Sequence, residues 1–281
     1  MVILVITPAI LLTLAVTSPR RSTLCCETPV NFGAKYEDIN ITTPDGIQLS
    51  GWFIPPQNSS IHGSTSIIIL IHSYYSDRRQ TLPVARMLYN GGYGLLMLDQ
   101  RASGKSQGDT RSLGWKDIPD VKTAVAWLMK RDKRSKIGIY GCSMGASIAL
   151  AGSVGTSSIQ AIAADAPSGL QWFENLPDFT LQDPLSLQIM ALYYPLVMLR
   201  TQATPPMSTL DAIKKQPGRP MLFISTGQTT EFSRVGVYYQ SAAEPKELWN
   251  LPESTHCAGP LSDPDEYRQH LLDFFRRSGL P

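Results

Sequence analysis

Cysteine and histidine are scarce in this chain, an excess of one charge sign is missing, and no apolar run reaches the length that spans a bilayer comfortably. Only four cysteines occur among 281 residues: Cys25, Cys26, Cys142 and Cys257. Two are adjacent and none belongs to a CxxC pair, so neither a disulfide framework nor a zinc knuckle is expected. Lysine and arginine total 25 against 23 acidic residues, a formal net charge of +2. The two signs are mixed along the chain, with no basic run or aromatic-interleaved stripe, which argues against a nucleic-acid groove. Internal repeats and low-complexity tracts are absent too. What is plentiful is apolar side chain. At 43% of the residues it suffices to bury one large core, so one sizeable domain is expected.

The first residues stand apart. Val2 to Val16 is almost wholly apolar, interrupted by Thr7, Pro8 and Thr13 and followed by Pro19, Arg20 and Arg21. The run is shorter than the ~20 residues that span a bilayer comfortably. No Lys or Arg precedes it, so it lacks the basic start of a secretory signal. Residues 1–18 are read first as a membrane anchor, with a cleaved signal or a non-spanning segment as alternatives, and 19–34 as a linker. The arginines behind the run favour a cytoplasmic main domain under the positive-inside rule.

From Lys35 onward strand and helix patterns alternate, as in a mostly parallel sheet with helices on both faces. Lys35–Thr42 and Leu49–Ile54 predict an antiparallel hairpin around Pro44-Asp45-Gly46. Ile67–Ile71 is an unbroken apolar run suited to a strand buried on both faces. Gly94–Leu98, Ile137–Tyr140, Ala161–Ala164, Met221–Ser225 and Glu247–Leu251 complete eight strands. Helical spacing marks Leu82–Tyr89, Asp117–Lys130 and Asp263–Arg277. Residues 167–217 break the alternation. That stretch carries Trp172, Phe173, Phe179, Tyr193, Tyr194 and several prolines, and predicts a lid inserted between strands 6 and 7. Leu187–Leu199 within it reads as a packed helix of that lid.

The chemistry centres on Gly141-Cys142-Ser143-Met144-Gly145, a G-x-S-x-G directly after an apolar strand and before a small-residue helix. A serine on such a strained strand-to-helix turn is lifted above the sheet edge. The Met144 N–H then stands at a helix start, where the dipole favours a developing oxyanion. A nucleophilic serine needs a base, and only His62, His72, His256 and His270 are available. His256 lies in the loop after the last strand, where an imidazole can swing over the turn. His270 sits mid-helix and reads as solvated, and His62 reads as surface.

These segments resemble the α/β-hydrolase superfamily, and more narrowly the serine-aminopeptidase-S33-like and Bem46-like hydrolases. The likeness runs from Tyr36 to Phe275 and rests on Ile71-His72-Ser73, on Leu98-Asp99-Gln100-Arg101-Ala102-Ser103-Gly104-Lys105-Ser106, on the Ser143 turn and on His256. Ser73 and Ala102 stand where members usually carry glycine. The resemblance implies that Tyr74 lends the second oxyanion N–H, with Ser73 the neighbouring alternative. It implies that His72, Asp99, Arg101 and Ser106 brace loops. Family members carry their triad acid after the seventh strand as G-x-x-D. Here Thr230 takes that place and Glu231 follows it. Glu231 is therefore the expected acid, with Asp165 at the end of the sixth strand as its rival; a first-turn helix preference is the plainer account of Glu231.

The expected activity is hydrolysis of an ester, thioester or amide through an acyl-enzyme on Ser143, with a small acyl compound as substrate and no metal or organic cofactor. The alternative is a non-catalytic module of the same fold. A dehalogenase is excluded because its nucleophile is an aspartate. An aminopeptidase would need an acidic anchor for the substrate amine, and Glu174, Asp178 and Asp183 are the candidates in the lid.

Overall fold

A computed structural model describes residues 2–21, 27–57, 65–178 and 184–280. Eight strands form one sheet in the order β1-β2-β4-β3-β5-β6-β7-β8. They are β1 (Glu37–Thr42), β2 (Gln48–Ile54), β3 (Ser66–Ile71), β4 (Gly94–Leu98), β5 (Lys136–Cys142), β6 (Ile159–Asp165), β7 (Met221–Thr226) and β8 (Lys246–Leu251). The first two strands pair antiparallel, β2 meets β4 antiparallel, and the rest run parallel.

Each residue of β3 and β7 is buried, which is why these strands read as continuous apolar runs rather than alternating ones. Alternate side chains feed two cores. On one face Ile68 and Leu70 pack with α2 (Leu82–Asn90) and α9 (Pro264–Arg277). On the other, Ile67, Ile69 and Ile71 pack with α3 (Ile118–Arg131), α4 (Met144–Gly152) and α7 (Thr229–Ser241). Truncating a fully buried isoleucine of β3 to alanine costs about 2–5 kcal/mol, so the central strands are stiff supports for whatever sits at their ends. α9 opens with Pro264 and the acids Asp265 and Glu266 and closes with Arg276 and Arg277, the arrangement that suits a helix dipole. Strand order reverses beside β3, which lies between β4 and β5. The carboxyl ends next to such a reversal form a crevice, and the chain places Ser143, Asp165 and Thr226 at that edge.

Between β6 and β7 the chain forms a 3-10 turn over Trp172–Asp178, then α5 (Pro184–Thr201) and α6 (Thr209–Lys214). The N-terminal apolar run departs from the expected anchor. It forms α1 (Val2–Thr17), whose buried residues Val5, Ala9, Thr13 and Val16 recur at helical spacing and which packs on α5. Its end is stitched to the body. The Tyr74 hydroxyl donates to the Val16 carbonyl at 3.1 Å, the Arg111 amide to Thr17 O at 2.8 Å, and Arg200 Nε to the Thr17 hydroxyl at 2.7 Å. Among the described residues no helix is long and apolar enough to cross a membrane. Residues 19–34 are likewise more than a linker. The Arg20 amide donates to Ala102 O at 2.9 Å, Arg21 binds the Ser106 and Gly108 carbonyls, and Phe32 and Ala34 pack into the core.

Candidate active site

The turn after β5 is built by what its glycines lack. A Cβ on Gly141 would stand 2.3 Å from the Gly145 carbonyl oxygen, and one on Gly145 would stand 2.4 Å from Ile71 O. Those approaches are closed to any larger residue, so both glycines are needed for α4 to press against β3 and β5. Ser143 between them sits at φ 55, ψ −121, a conformation a non-glycine residue holds only where its surroundings impose it. Its N–H is fixed to the Asp165 carbonyl at 2.8 Å, and its carbonyl accepts the Ala146 N–H at 3.0 Å. The hydroxyl is thus left at the mouth of the crevice on a half-buried residue.

His256, in the loop after β8, meets Glu231, 25 residues earlier in the first turn of α7, with Nδ1 2.6 Å from Oε2. The two differ sharply in exposure: the imidazole side chain is 39% exposed and the carboxylate 1%. Glu231 lies in the first turn of α7, as its helix preference predicts, yet its carboxylate turns back to the sheet. Oε1 accepts both the amide and the hydroxyl of Thr226, each at 2.7 Å. Burial pushes the Glu231 carboxyl up, but the hydrogen bonds from His256 and Thr226 outweigh it and hold the group below its ordinary value. Thr226 is a residue that sequence reasoning overlooked, since nothing in the local pattern links a strand-end threonine to an acid five positions on.

Asp165 is occupied elsewhere. Its carboxylate accepts the hydroxyls of Tyr140 at 3.0 Å and Tyr267 at 2.8 Å. Burial raises it to about 6 against the pull of those hydroxyls. On the oxyanion side, the Ser73 N–H donates to Gln80 Oε1 at 2.7 Å. The N–H groups of Tyr74 and Met144 have no acceptor among the described residues. Tyr74 is clamped by Arg111, which donates to its carbonyl at 3.0 Å and stacks over its ring.

The bracing residues are saturated. His72 is fully buried, accepts the Gln100 amide on Nε2 at 2.9 Å and sets Nδ1 against its neighbour's carbonyl at 2.7 Å. Burial lowers its pKa. Asp99 takes the Arg78 and Lys105 amides, Ser106 bonds Asp99 O, and Arg101 forks onto Asp45 and Asp120. Ala102 holds φ 55 where its relatives' glycine would be unstrained. His270 is not free in solvent: its ring stacks on Trp249 with centroids 4.3 Å apart. His62, Asp183, Cys25 and Cys26 lie outside the described residues.

One expectation is overturned. Cys142 and Cys257 form a disulfide, although their spacing of 115 residues shows no local pattern. The signal was available through the chemistry. Cys142 adjoins Ser143 and Cys257 adjoins His256, so any fold that joins the serine to the histidine also joins their neighbours.

The comparisons with known proteins fit this geometry. Residues 45–179 match the model of the X-Pro dipeptidyl-peptidase family S15, a stretch that contains Ser143 but neither Glu231 nor His256. A Pyrococcus furiosus esterase, Pf2001, superposes with a TM-score of 0.74 at 27% identity, covering 93% of this chain and 98% of that one. The chain belongs to the α/β-hydrolase superfamily. A dienelactone hydrolase from Anabaena variabilis shares the fold at 15% identity, with a TM-score of 0.59 over 87% of this chain and 98% of its own. Among curated proteins, the uncharacterized YqkD of Bacillus subtilis is 24% identical over 82% of this chain and 75% of its own length. YfhR of Escherichia coli O157:H7 is 26% identical over 46% of each, so that match spans about half of the relative. The matching family model is S15, and none of these comparisons singles out the narrower S33-like group. Together they support a hydrolase.

Proposed function

We propose that the protein is a serine hydrolase that cleaves esters of apolar acyl groups through an acyl-enzyme on Ser143. The observation that carries this reading is the 2.6 Å contact of His256 Nδ1 with a buried Glu231 carboxylate. An ionised carboxylate only accepts, so Nδ1 carries the proton and Nε2 is left bare to act as base. Ser143 Oγ attacks the acyl carbon, its proton passes to Nε2, and Glu231 stabilises the resulting imidazolium. The Met144 and Tyr74 N–H groups receive the oxyanion. Protonated His256 returns the proton to the leaving alcohol, and water, deprotonated by the same nitrogen, releases the acid.

Two features favour an ester of apolar acid over a peptide. Glu174, the anchor candidate whose side chain is described, is already spent. Its carboxylate accepts the amides of Leu170, Gln171, Thr209 and Leu210 and the hydroxyl of Tyr238. The cap also holds a cavity of about 500 Å³ lined by Trp172, Leu187, Met190, Tyr194 and Met198. Tyr194, one wall of the cavity, stacks on Trp115 and belongs to the same apolar cluster as Tyr74. An apolar chain buried there gains about 0.8 kcal/mol per methylene.

The test is a series of p-nitrophenyl esters of graded acyl length, run beside aminoacyl-naphthylamides on wild type and Ser143→Ala. Ester turnover should rise with chain length, naphthylamides should be poor substrates, and Ser143→Ala should lose about 10⁴-fold or more. A preference for naphthylamides would overturn the ester assignment. Undiminished turnover by Ser143→Ala would move the nucleophile, and no turnover of any substrate would favour a non-catalytic module.

A further inference from the structure

The disulfide crosses the site rather than the body of the protein. Cys142 ends β5 immediately before Ser143, Cys257 immediately follows His256, and their Cα atoms are 6.1 Å apart. The loop bearing the imidazole is otherwise lightly held. Its C-terminal end is tied to the next helix by the Leu261 and Ser262 amides on Ala258 O, and Cys257 packs against the core. Around His256 itself the ties are a 3.4 Å contact from the Gly227 amide to Ser254 O, a 3.1 Å bond between the Ser254 and Ser262 hydroxyls, and the His256–Glu231 contact. Within the loop the Ala258 amide closes a turn on Thr255 O, and the Ser254 hydroxyl donates to the same carbonyl. Cys257 also rests at φ 58, a left-handed backbone that a residue with a Cβ leaves when released. The other end of the link is rigid: Cys142 is buried, in register beside Asp165 of β6. Gln80 touches this end as well, its amide nitrogen 3.8 Å from Cys142 Sγ while its oxygen holds the Ser73 amide.

We propose that the Cys142–Cys257 bond is a positioning link that holds His256 over Ser143, so that its reduction by a small thiol slows catalysis without unfolding the sheet. The proposal rests on the serine-hydrolase reading above. Its chemistry is thiol–disulfide exchange with a low-molecular-weight thiol or dithiol as reductant. Cys142 Sγ lies inside and Cys257 is only half-buried, so a thiolate attacks Cys257 Sγ, the S–S bond breaks and Cys142 leaves as thiolate. A second thiolate attacks the reductant sulfur of the mixed disulfide and releases Cys257. Two external thiols become one disulfide, two electrons pass to the protein, and the two protons end on Cys142 and Cys257. The sheet has its own ladders and two packed faces, so it survives while the loop relaxes.

The experiment compares four preparations on p-nitrophenyl acetate: oxidised wild type, wild type reduced with dithiothreitol, the same protein reoxidised with oxidised glutathione, and Cys142→Ala/Cys257→Ala. Thiol content is read by alkylation and mass, folding by circular dichroism and melting, and the nucleophile by a fluorophosphonate probe. A misplacement of about 1 Å costs on the order of 10²-fold. Reduction should therefore lower kcat by about 10²-fold, leave KM within about twofold and be reversed by reoxidation. The double variant should match the reduced enzyme and ignore thiols. Unchanged kcat in protein shown to be reduced would overturn the link, as would a reduced form that is unfolded at the assay temperature. If oxidised wild type labels at Ser143 and reduction changes nothing, only the link falls. If oxidised wild type neither turns over nor labels, both readings fall.

Discussion

The sheet edge around Ser143 and the cap, α1 packed on α5, are held by different forces. At the edge, backbone geometry dominates. Gly141 and Gly145 admit contacts that no Cβ allows, Ser143 is pinned through Asp165 O, and α4 is buried from Gly145 to Gly152. In the cap, side chains do the holding. Val16, Tyr193 and Val197 make a small cluster where α1 meets α5, while Leu187 and Leu199 of α5 and Leu4 and Leu11 of α1 stay exposed. Rigid elements suit groups that must be placed to within a fraction of an ångström. A layer held by side chains can adjust to chains of different shape. On the proposed function, chemistry falls to the edge and acyl selection to the cap.

The strongest way to break that division is at the acid. Glu231→Gln keeps the side chain's shape but removes the charge that balances an imidazolium, and kcat should fall by about 10²- to 10⁴-fold under saturating ester. Asp165→Asn, measured beside it, should cost less than about tenfold, because that carboxylate serves two tyrosines. The pH dependence of stability separates the same two groups. Glu231 is held below its ordinary 4.5. Its contribution is therefore present above that pH, is lost as pH falls through the lower folded value, and disappears in Glu231→Gln. Asp165 has the opposite sign. Raised from 3.8 to about 6, it favours the folded state below 3.8, and that support is lost as pH rises through 6. A crippled Asp165→Asn with a near-normal Glu231→Gln would reassign the acid.

A smaller effect is expected in the cap. Ala9 is fully buried on the inner stripe of α1, and Ala9→Asp places an unpaired carboxylate there at a cost of about 2–4 kcal/mol to cap docking. Hydrolysis of the acetyl ester should stay within about threefold, while the advantage of longer acyl chains drops by about tenfold. Equal loss on short and long esters would show that cap and edge act as one unit.

The same contrast decides what the sequence revealed. Strands β3, β5, β6 and β7 were legible because a strand covered on both faces must be apolar throughout, and the serine turn because its glycines stand at fixed positions beside it. The antiparallel pair β1 and β2 was marked by Pro44-Asp45-Gly46. The role of α1 was hidden: a helix that is apolar all round looks the same whether lipid or α5 covers it. Its buried stripe emerges only when Thr13 is seen donating to Ala9 O rather than facing solvent. Thr226 was hidden for another reason, and the Cys142–Cys257 bond was legible only through the pairing of Ser143 with His256. Both depend on which strand ends lie side by side, and that follows from the sheet order, not from any short window. His270 looked solvated because the stacking partner, Trp249, belongs to a different element.

The central claim is that Ser143 is the nucleophile, activated by His256. The most direct measurement is peptide mapping by mass spectrometry of the protein after reaction with a fluorophosphonate. One stoichiometric adduct is expected on Ser143, formed rapidly in wild type and not at all in a His256→Ala variant that remains folded. An adduct on any other residue, or equal labelling without His256, would contradict it.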